Sequence, residues 1–138
     1  MFDVGLVLIM LALQSAAAAG GSDASAQTIA AAEGATSSDI ALYETSLTKP
    51  GFYAACKDKD PGLSVAYEKA SQDWMSRNRD SIARGRSALR DEAKRSGMDR
   101  DNMLRDNATW TVSDFARKSR YALLTACEDM LKQDRKSG

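Results

Sequence analysis

The chain has 138 residues, which is the size of one small domain. Its 19 basic and 19 acidic residues balance, but residues 1–49 hold five acids and one base, so the remainder is mildly basic. Nucleic-acid binders concentrate far more positive charge on one face, and we expect no nucleic-acid partner. The chain has no histidine, which excludes Ser-His-Asp and Cys-His catalysis and most zinc and copper sites.

The N-terminus has the pattern of a secretory signal peptide over residues 1–26. The apolar run 4–13 has the length of a signal hydrophobic region and is shorter than the ~20 apolar residues that span a bilayer. Ala24-Ser25-Ala26 fits the small-residue cleavage rule, and Ala17-Ala18-Ala19 is a second candidate. The first three residues depart from the usual pattern, because they include no Lys or Arg. The pattern predicts export to the periplasm or out of the cell.

Export gives the two cysteines a meaning. An even cysteine count in an oxidising compartment favours a disulfide, here between Cys56 and Cys127. The two are 71 positions apart, so they do not form a C-x-x-C redox motif. The alternative is that both cysteines are buried and unpaired.

Beyond the signal peptide, the chain is predicted to form a flexible leader over 27–37, a helical domain over 38–134 and a frayed tail over 135–138. The leader is rich in Ala, Gly, Ser and Thr and has no bulky periodic pattern. In the domain, Ser38 or Asp39 would cap a short helix that Pro50-Gly51 ends.

A helical period extends from Leu63 to about Arg95. Apolar or small residues recur there in steps of three and four, at Tyr67, Ala70, Trp74, Asn78, Ser81, Gly85 and Ala88, with Asn78 as the one polar exception of any size. The pattern predicts one long helix that ends at Ser96-Gly97. The small residues of this row would let another helix approach closely.

A second helical period begins near Asp99 and continues to about Lys132, with a break possible near Trp110 because Thr109–Val112 is a poor helix former. No segment alternates with a period of two. We therefore predict an all-α fold, with a long antiparallel hairpin, a short N-terminal helix and a Cys56–Cys127 staple. In the chain-entropy model, a bridge over so long a loop contributes roughly 4 kcal/mol of stability.

The second long helix carries an additional apolar row, formed by Trp110, Tyr121, Leu124 and Leu131. A two-helix hairpin cannot bury this row together with the row around Phe115. The segment 40–55 is one candidate to cover it. The other candidate is a partner protein or a second copy of the chain, so that the row would be a partner-binding surface.

The first long helix is rich in arginine. Three acid–arginine pairs four residues apart predict a solvated ladder of ion pairs: Asp73–Arg77, Asp80–Arg84 and Asp91–Arg95. Arg79, Arg86 and Arg90 lie on another face without such partners. They form either a solvated basic face or a surface for an anionic partner, such as an acidic protein or lipid headgroups.

Motifs that carry catalysis or metal binding do not fit this sequence. There is no P-loop, dinucleotide fingerprint, G-x-S-x-G or S-x-x-K. The segment beginning at Asp58 resembles the start of a calcium loop, but Lys69 stands where the loop requires a glutamate. We predict no catalytic, cofactor or metal site, and the alternative is a hydrolase that uses carboxylates alone.

One short motif gives a resemblance. Trp74-x-x-Arg77-Asn78, between an early Cys56 and a late Cys127, resembles a pattern in small exported two-cysteine helical proteins of Gram-negative bacteria, over about residues 52–131. The resemblance implies a location in the cell envelope and does not point to any particular activity. We therefore predict a non-enzymatic periplasmic binding protein. Its partner would be another protein of the cell envelope or a second copy of the chain in a dimer. The alternatives are an inhibitor or immunity protein against a secreted hydrolase and a protein of the membrane surface.

Overall fold

The computed structural model describes residues 20–138, with side chains from Thr36 onward and exposure also for Gly34. Residues 1–19 lie outside the described residues, so the signal peptide and its cleavage site stay predictions. The chain divides into two units, one ending at Ala35 and one comprising Thr36–Gly138. The helices are α1 Gly20–Lys59, the 3-10 turn Pro61–Leu63, α2 Ser64–Arg77, α3 Arg79–Ser96, α4 Arg100–Ala116 and α5 Arg120–Lys136. The described part has no strand, as predicted.

The N-terminal helix is longer than predicted. The expected leader, residues 27–37, is helical and belongs to α1. It holds four alanines, and alanine is the best helix former, so propensity prevails over the absence of an apolar face. At the other terminus, the expected frayed tail over 135–138 is helical as far as Lys136.

The predicted end of this helix at Pro50-Gly51 is also wrong, because α1 continues through Pro50 to Lys59. A proline inside a helix removes one backbone hydrogen bond and strains the preceding turn. Contacts on both sides of Pro50 hold the helix together. Lys49 and Tyr53 both bind Asp134 of α5, and at Gly51 an added Cβ would lie 2.7 Å from a methyl group of Val112.

The first predicted long helix is interrupted at one residue, Asn78, which separates α2 from α3. Its backbone angles are φ −103° and ψ 7°. Its side-chain amide donates a hydrogen bond to the carbonyl oxygen of Trp74 at 2.8 Å. Asparagine side chains compete in this way for backbone groups, which is the physical reason for the interruption.

The second predicted long helix divides at residues 117–119 rather than near Trp110. α4 ends at Ala116, and α5 begins after Ser119, whose hydroxyl accepts a hydrogen bond from the backbone N–H of Ala122 at 3.3 Å. Thr109 and Thr111 stay helical, and each hydroxyl donates a hydrogen bond to the carbonyl oxygen four residues earlier. The break therefore falls where a serine can cap a new helix.

Contacts with α1 show how α4 and α5 run. Tyr43 binds Asp101, and further along both helices Gly51 lies against Val112. Residue numbers therefore rise in the same direction on the two helices, and α4 is parallel to α1. On α5 the order is reversed, because Lys49 binds Asp134 whereas Cys56 binds Cys127. α4 and α5 are therefore antiparallel, and the second arm of the predicted hairpin itself folds back.

The turn between α3 and α4 has the predicted place and chemistry. Gly97 ends α3 in the left-handed conformation at φ 72°, which favours glycine. Asp99 caps α4 by accepting a hydrogen bond from the N–H of Asn102 at 3.0 Å. The turn predicted at Ser96-Gly97 is thus confirmed, and α3 and α4 contact each other.

The predicted disulfide is confirmed. Cys56 and Cys127 are bonded, with Cα atoms 5.9 Å apart, and both are fully buried. Around them lies the core, formed by Tyr53, Ala55, Tyr67, Phe115, Leu123 and Leu131. Phe52 packs on Phe115 with ring centroids 4.5 Å apart, so the segment 40–55 packs on the row around Phe115. In the additional apolar row, Trp110 and Tyr121 stay exposed. No described helix combines the length and the apolar character needed to cross a membrane.

Candidate functional site

The candidate site is a row of three arginines on α3, named here the arginine row: Arg79, Arg86 and Arg90. All three side chains are exposed. At 100° per residue they fall within about 40° of one another, and at 1.5 Å per residue the row is about 16 Å long. Within the described part of the chain, none of the three forms an ion pair with a carboxylate.

α3 is the basic element of its unit. It carries six basic and three acidic residues. The unit Thr36–Gly138 as a whole also has an excess of three basic residues, because all 19 bases and 16 of the 19 acids lie in it. The net charge of the unit therefore equals the net charge of α3.

A close helix crossing fixes α3 against α1. A Cβ added to Gly85 would lie 2.1 Å from the carbonyl oxygen of Asp39, so the absence of a side chain lets the two backbones touch. Arg84 then binds the Asp39 carboxylate with two donors, Nε at 2.8 Å and Nη2 at 3.2 Å. The Arg84 guanidinium holds the pKa of Asp39 below its ordinary value, although burial opposes the shift. This bidentate pair orients α3.

The other flank of α3 faces a polar cluster between α1 and α4. The Tyr43 hydroxyl donates a hydrogen bond to the Asp101 carboxylate, and Arg105 donates a hydrogen bond to the Tyr43 hydroxyl oxygen at 2.8 Å. Burial raises the pKa of Asp101, but hydrogen bonds from Tyr43 and Arg105 and the charge of Arg86 leave it below the ordinary value. Of the arginine row, Arg86 lies near enough to this cluster for its charge to act on Asp101.

A second polar cluster is buried where α1, α2 and α5 meet. Asp134 is 8% exposed, and its two carboxylate oxygens accept from Lys49 at 2.7 Å and Tyr53 at 2.5 Å. The Lys49 ammonium lies 4.8 Å from the ring centre of Trp74. Burial and the hydrogen bond to Asp134 raise the pKa of Tyr53. All charges here have partners, so the cluster is suited to holding helices together.

None of the three predicted ladder pairs lies within ion-pair distance, although the hydrogen bond to Asp39 and, to a lesser extent, the charge of Asp80 raise the pKa of Arg84. Asp73 binds Lys69 and Asp91 binds Lys94, while Arg84 binds Asp39 of α1. Arg77 instead donates to the carbonyl oxygen of Asp134 at 3.4 Å. A half-buried carboxylate on the neighbouring helix attracts an arginine more strongly than an exposed one on its own helix, because solvent screens the latter.

The predicted apolar row of Trp110, Tyr121, Leu124 and Leu131 does not form one surface. Trp110 is 64% exposed on α4 and Tyr121 is 83% exposed on α5. Leu131 is buried in the core, and Leu124 packs against it. The prediction requires one continuous helix. The turn at 117–119 instead places Trp110 on α4 and the other three residues on α5.

Two shallow clefts lie beside α2. One is lined by side chains of α2 alone, such as Val65 and Gln72. The other lies between α2 and the end of α5, beside Arg77 and Arg135. Among the described residues no three metal-ligating side chains cluster, and no cysteine is free.

Comparison with known proteins adds no family: no family model, curated protein or solved structure matches the chain significantly.

Sequence periodicity found the arginine row, because the positions of the three arginines depend only on helical phase within one uninterrupted helix. Periodicity missed the clusters around Asp101 and Asp134, since each joins residues from helices far apart in sequence. The signal available for them was weak, consisting of tyrosines and single acids on apolar faces.

Proposed function

We propose that the protein is a non-enzymatic binding protein of the cell envelope, and that the arginine row of α3 contacts its partner. The observation that carries this proposal is the row itself: three exposed arginines on one face, none ion-paired to a described carboxylate. Such a row attracts anionic surfaces and steers their approach.

The direction of the pKa shifts supports a binding role. Hydrogen bonds from neighbouring side chains lower the pKa of Asp39, Asp101 and Glu128, and burial raises that of Tyr43, Tyr53 and Tyr67. Each of these shifts moves the group away from neutral pH. Catalytic acids and bases are instead tuned toward the working pH.

The disulfide supports a location in the envelope. Disulfides form and persist in oxidising compartments such as the periplasm. Cys56 and Cys127 are fully buried, which suits a structural bridge. The three arginines also share one face of a single helix, so their relative backbone positions are set before a partner binds.

Capture from envelope extract tests the proposal. The disulfide-bonded protein is immobilised, and bound proteins are quantified by mass spectrometry for three forms. The row variant carries Arg79→Gln, Arg86→Gln and Arg90→Gln. The matched control carries Arg117→Gln, Arg120→Gln and Arg135→Gln, three exposed arginines elsewhere.

We expect at least one envelope protein to bind the unmodified and control forms and to be lost from the row variant. An identical set of bound proteins for all three forms would refute the proposal. If the captured protein is a secreted hydrolase, an activity assay with and without the bundle then tests the inhibitor alternative. Flotation with anionic vesicles tests the membrane-surface alternative.

A further inference from the structure

The surroundings of the arginine row indicate what kind of partner fits it. Between and beside the arginines, α3 presents Ala83 and Ser87, which are exposed and small. Large exposed apolar side chains occur at Leu63, Val65, Met98, Met103, Trp110 and Tyr121, and none of these lies on α3. The arginine row is therefore a charged surface without large exposed apolar side chains.

This combination disfavours a lipid surface. Proteins that lie on anionic membranes bury apolar side chains below the headgroups and place basic residues beside them. The arginine row has the basic residues and lacks the apolar ones. A carboxylate partner needs no such insertion, because a guanidinium binds a carboxylate side by side with two hydrogen bonds.

The spacing indicates an elongated acidic partner. Arg79, Arg86 and Arg90 follow one another at seven and four residues along one uninterrupted helix, so the charges form a line about 16 Å long. A helix with acids on one face has the same repeat of three, four and seven residues. Small residues between the arginines let the backbone of such a helix lie close to α3.

Building on the proposed function, we infer that the partner of the arginine row is an acidic polypeptide helix, laid along α3 with its carboxylates facing Arg79, Arg86 and Arg90. The bidentate Arg84–Asp39 pair already shows this contact between α3 and a carboxylate of another helix. Arg84 lies on the side of α3 toward α1, whereas the three arginines of the row have exposed side chains without an ion-paired carboxylate among the described residues.

A defined peptide tests the inference. The probe is a helical peptide rich in Ala with glutamates along one face, and its isomer has the same composition with the glutamates spread around the helix. Binding is followed by NMR, through the backbone amides of the disulfide-bonded protein at 50 mM and 300 mM salt. Vesicles with anionic headgroups serve as the third probe.

We expect shifts confined to α3 around residues 79–90, about tenfold weaker binding for the row variant and for the isomer, and loss of binding at high salt. The Arg117, Arg120, Arg135 control should bind normally. Equal binding of the two peptides, or binding of vesicles and not of the acidic-faced peptide, would overturn the inference. If extract capture depends on the row while this peptide fails, the proposed function stands and the acidic-helix partner falls.

Discussion

Gly85 is the residue at which α3 and α1 come closest. Gly85→Ala would place a methyl group 2.1 Å from the carbonyl oxygen of Asp39, within backbone that cannot move aside alone. We expect a loss of about 2–3 kcal/mol in the free energy of unfolding, measured by urea denaturation. Gly34→Ala is the control, since nothing lies within 4 Å of the added carbon. A helix gains slightly from that change, so equal losses for both variants would contradict the close crossing.

Asp134 is the residue that joins three helices. Asp134→Ala leaves the Lys49 ammonium largely buried without its carboxylate, and we expect a loss of about 3 kcal/mol in a urea denaturation. Asp129→Ala, at an exposed position of the same helix, should change stability by less than about 0.5 kcal/mol. Adding Lys49→Met to Asp134→Ala should restore part of the loss. No recovery would mean that the lysine charge is not the source of the cost.

At the scale of elements, the cap of α5 is tested at Ser119. Ser119→Ala removes the side-chain acceptor for the N–H of Ala122, and helix caps contribute about 1 kcal/mol. Thermal unfolding should show a corresponding fall in Tm. Ser137→Ala, which removes an exposed hydrogen bond beyond the end of the same helix, is the control and should leave the Tm unchanged. A fall of the same size in both would argue against a cap at the α4–α5 turn.

The contact of α4 with α1 should depend on pH through Asp101. The folded pKa of this carboxyl is below the ordinary value. Its contribution to stability is therefore present above the unfolded pKa of about 4 and is lost as pH falls through the folded pKa. Urea midpoints measured from pH 7 to pH 2 should decline more steeply for the unmodified protein than for Asp101→Asn. Parallel declines would show that Asp101 has the same pKa in both states.

Sequence reasoning succeeded for elements that local patterns determine. The helical period, the turn signal at Gly97 and the cysteine pair correctly predicted the all-α class, the turn between α3 and α4, and the disulfide. It failed where a contact distant in sequence decides. Pro50 stays inside α1 because Asp134 binds residues on both sides of it, and α5 folds back at a serine that resembles any other polar position.

The residues predicted for the candidate site show the same contrast between local patterns and contacts distant in sequence. The arginine row lies within one uninterrupted helix, so its phase could be computed from residue numbers alone. The apolar row of Trp110, Tyr121, Leu124 and Leu131 crosses the turn at 117–119. Helical phase counted from residue numbers does not hold across that turn, so the four residues do not share a face. The ladder failed because Asp39, 45 positions before Arg84, could not be placed beside it from the sequence.

For the molecule as a whole, the disulfide should be the largest single contribution to stability. It closes a separation of 71 residues, and constraining so long a loop in the unfolded chain contributes roughly 4 kcal/mol. A variant with Cys56→Ala and Cys127→Ala should unfold at a clearly lower urea concentration than the oxidised protein. Reductant should lower the midpoint of the unmodified protein and leave the variant unaffected. Equal midpoints of the oxidised protein and the variant would show that the bridge contributes little.

The central claim is that the arginine row contacts a protein partner in the envelope. The most direct measurement is photo-cross-linking in cells that export the protein, with benzoylphenylalanine at Ala83, which is exposed between Arg79 and Arg86. The control places the same group at Gln133, an exposed position of α5. We predict one discrete cross-linked protein at Ala83 that disappears in the row variant and does not form at Gln133. The same products at both positions, or an unchanged product in the row variant, would contradict the claim.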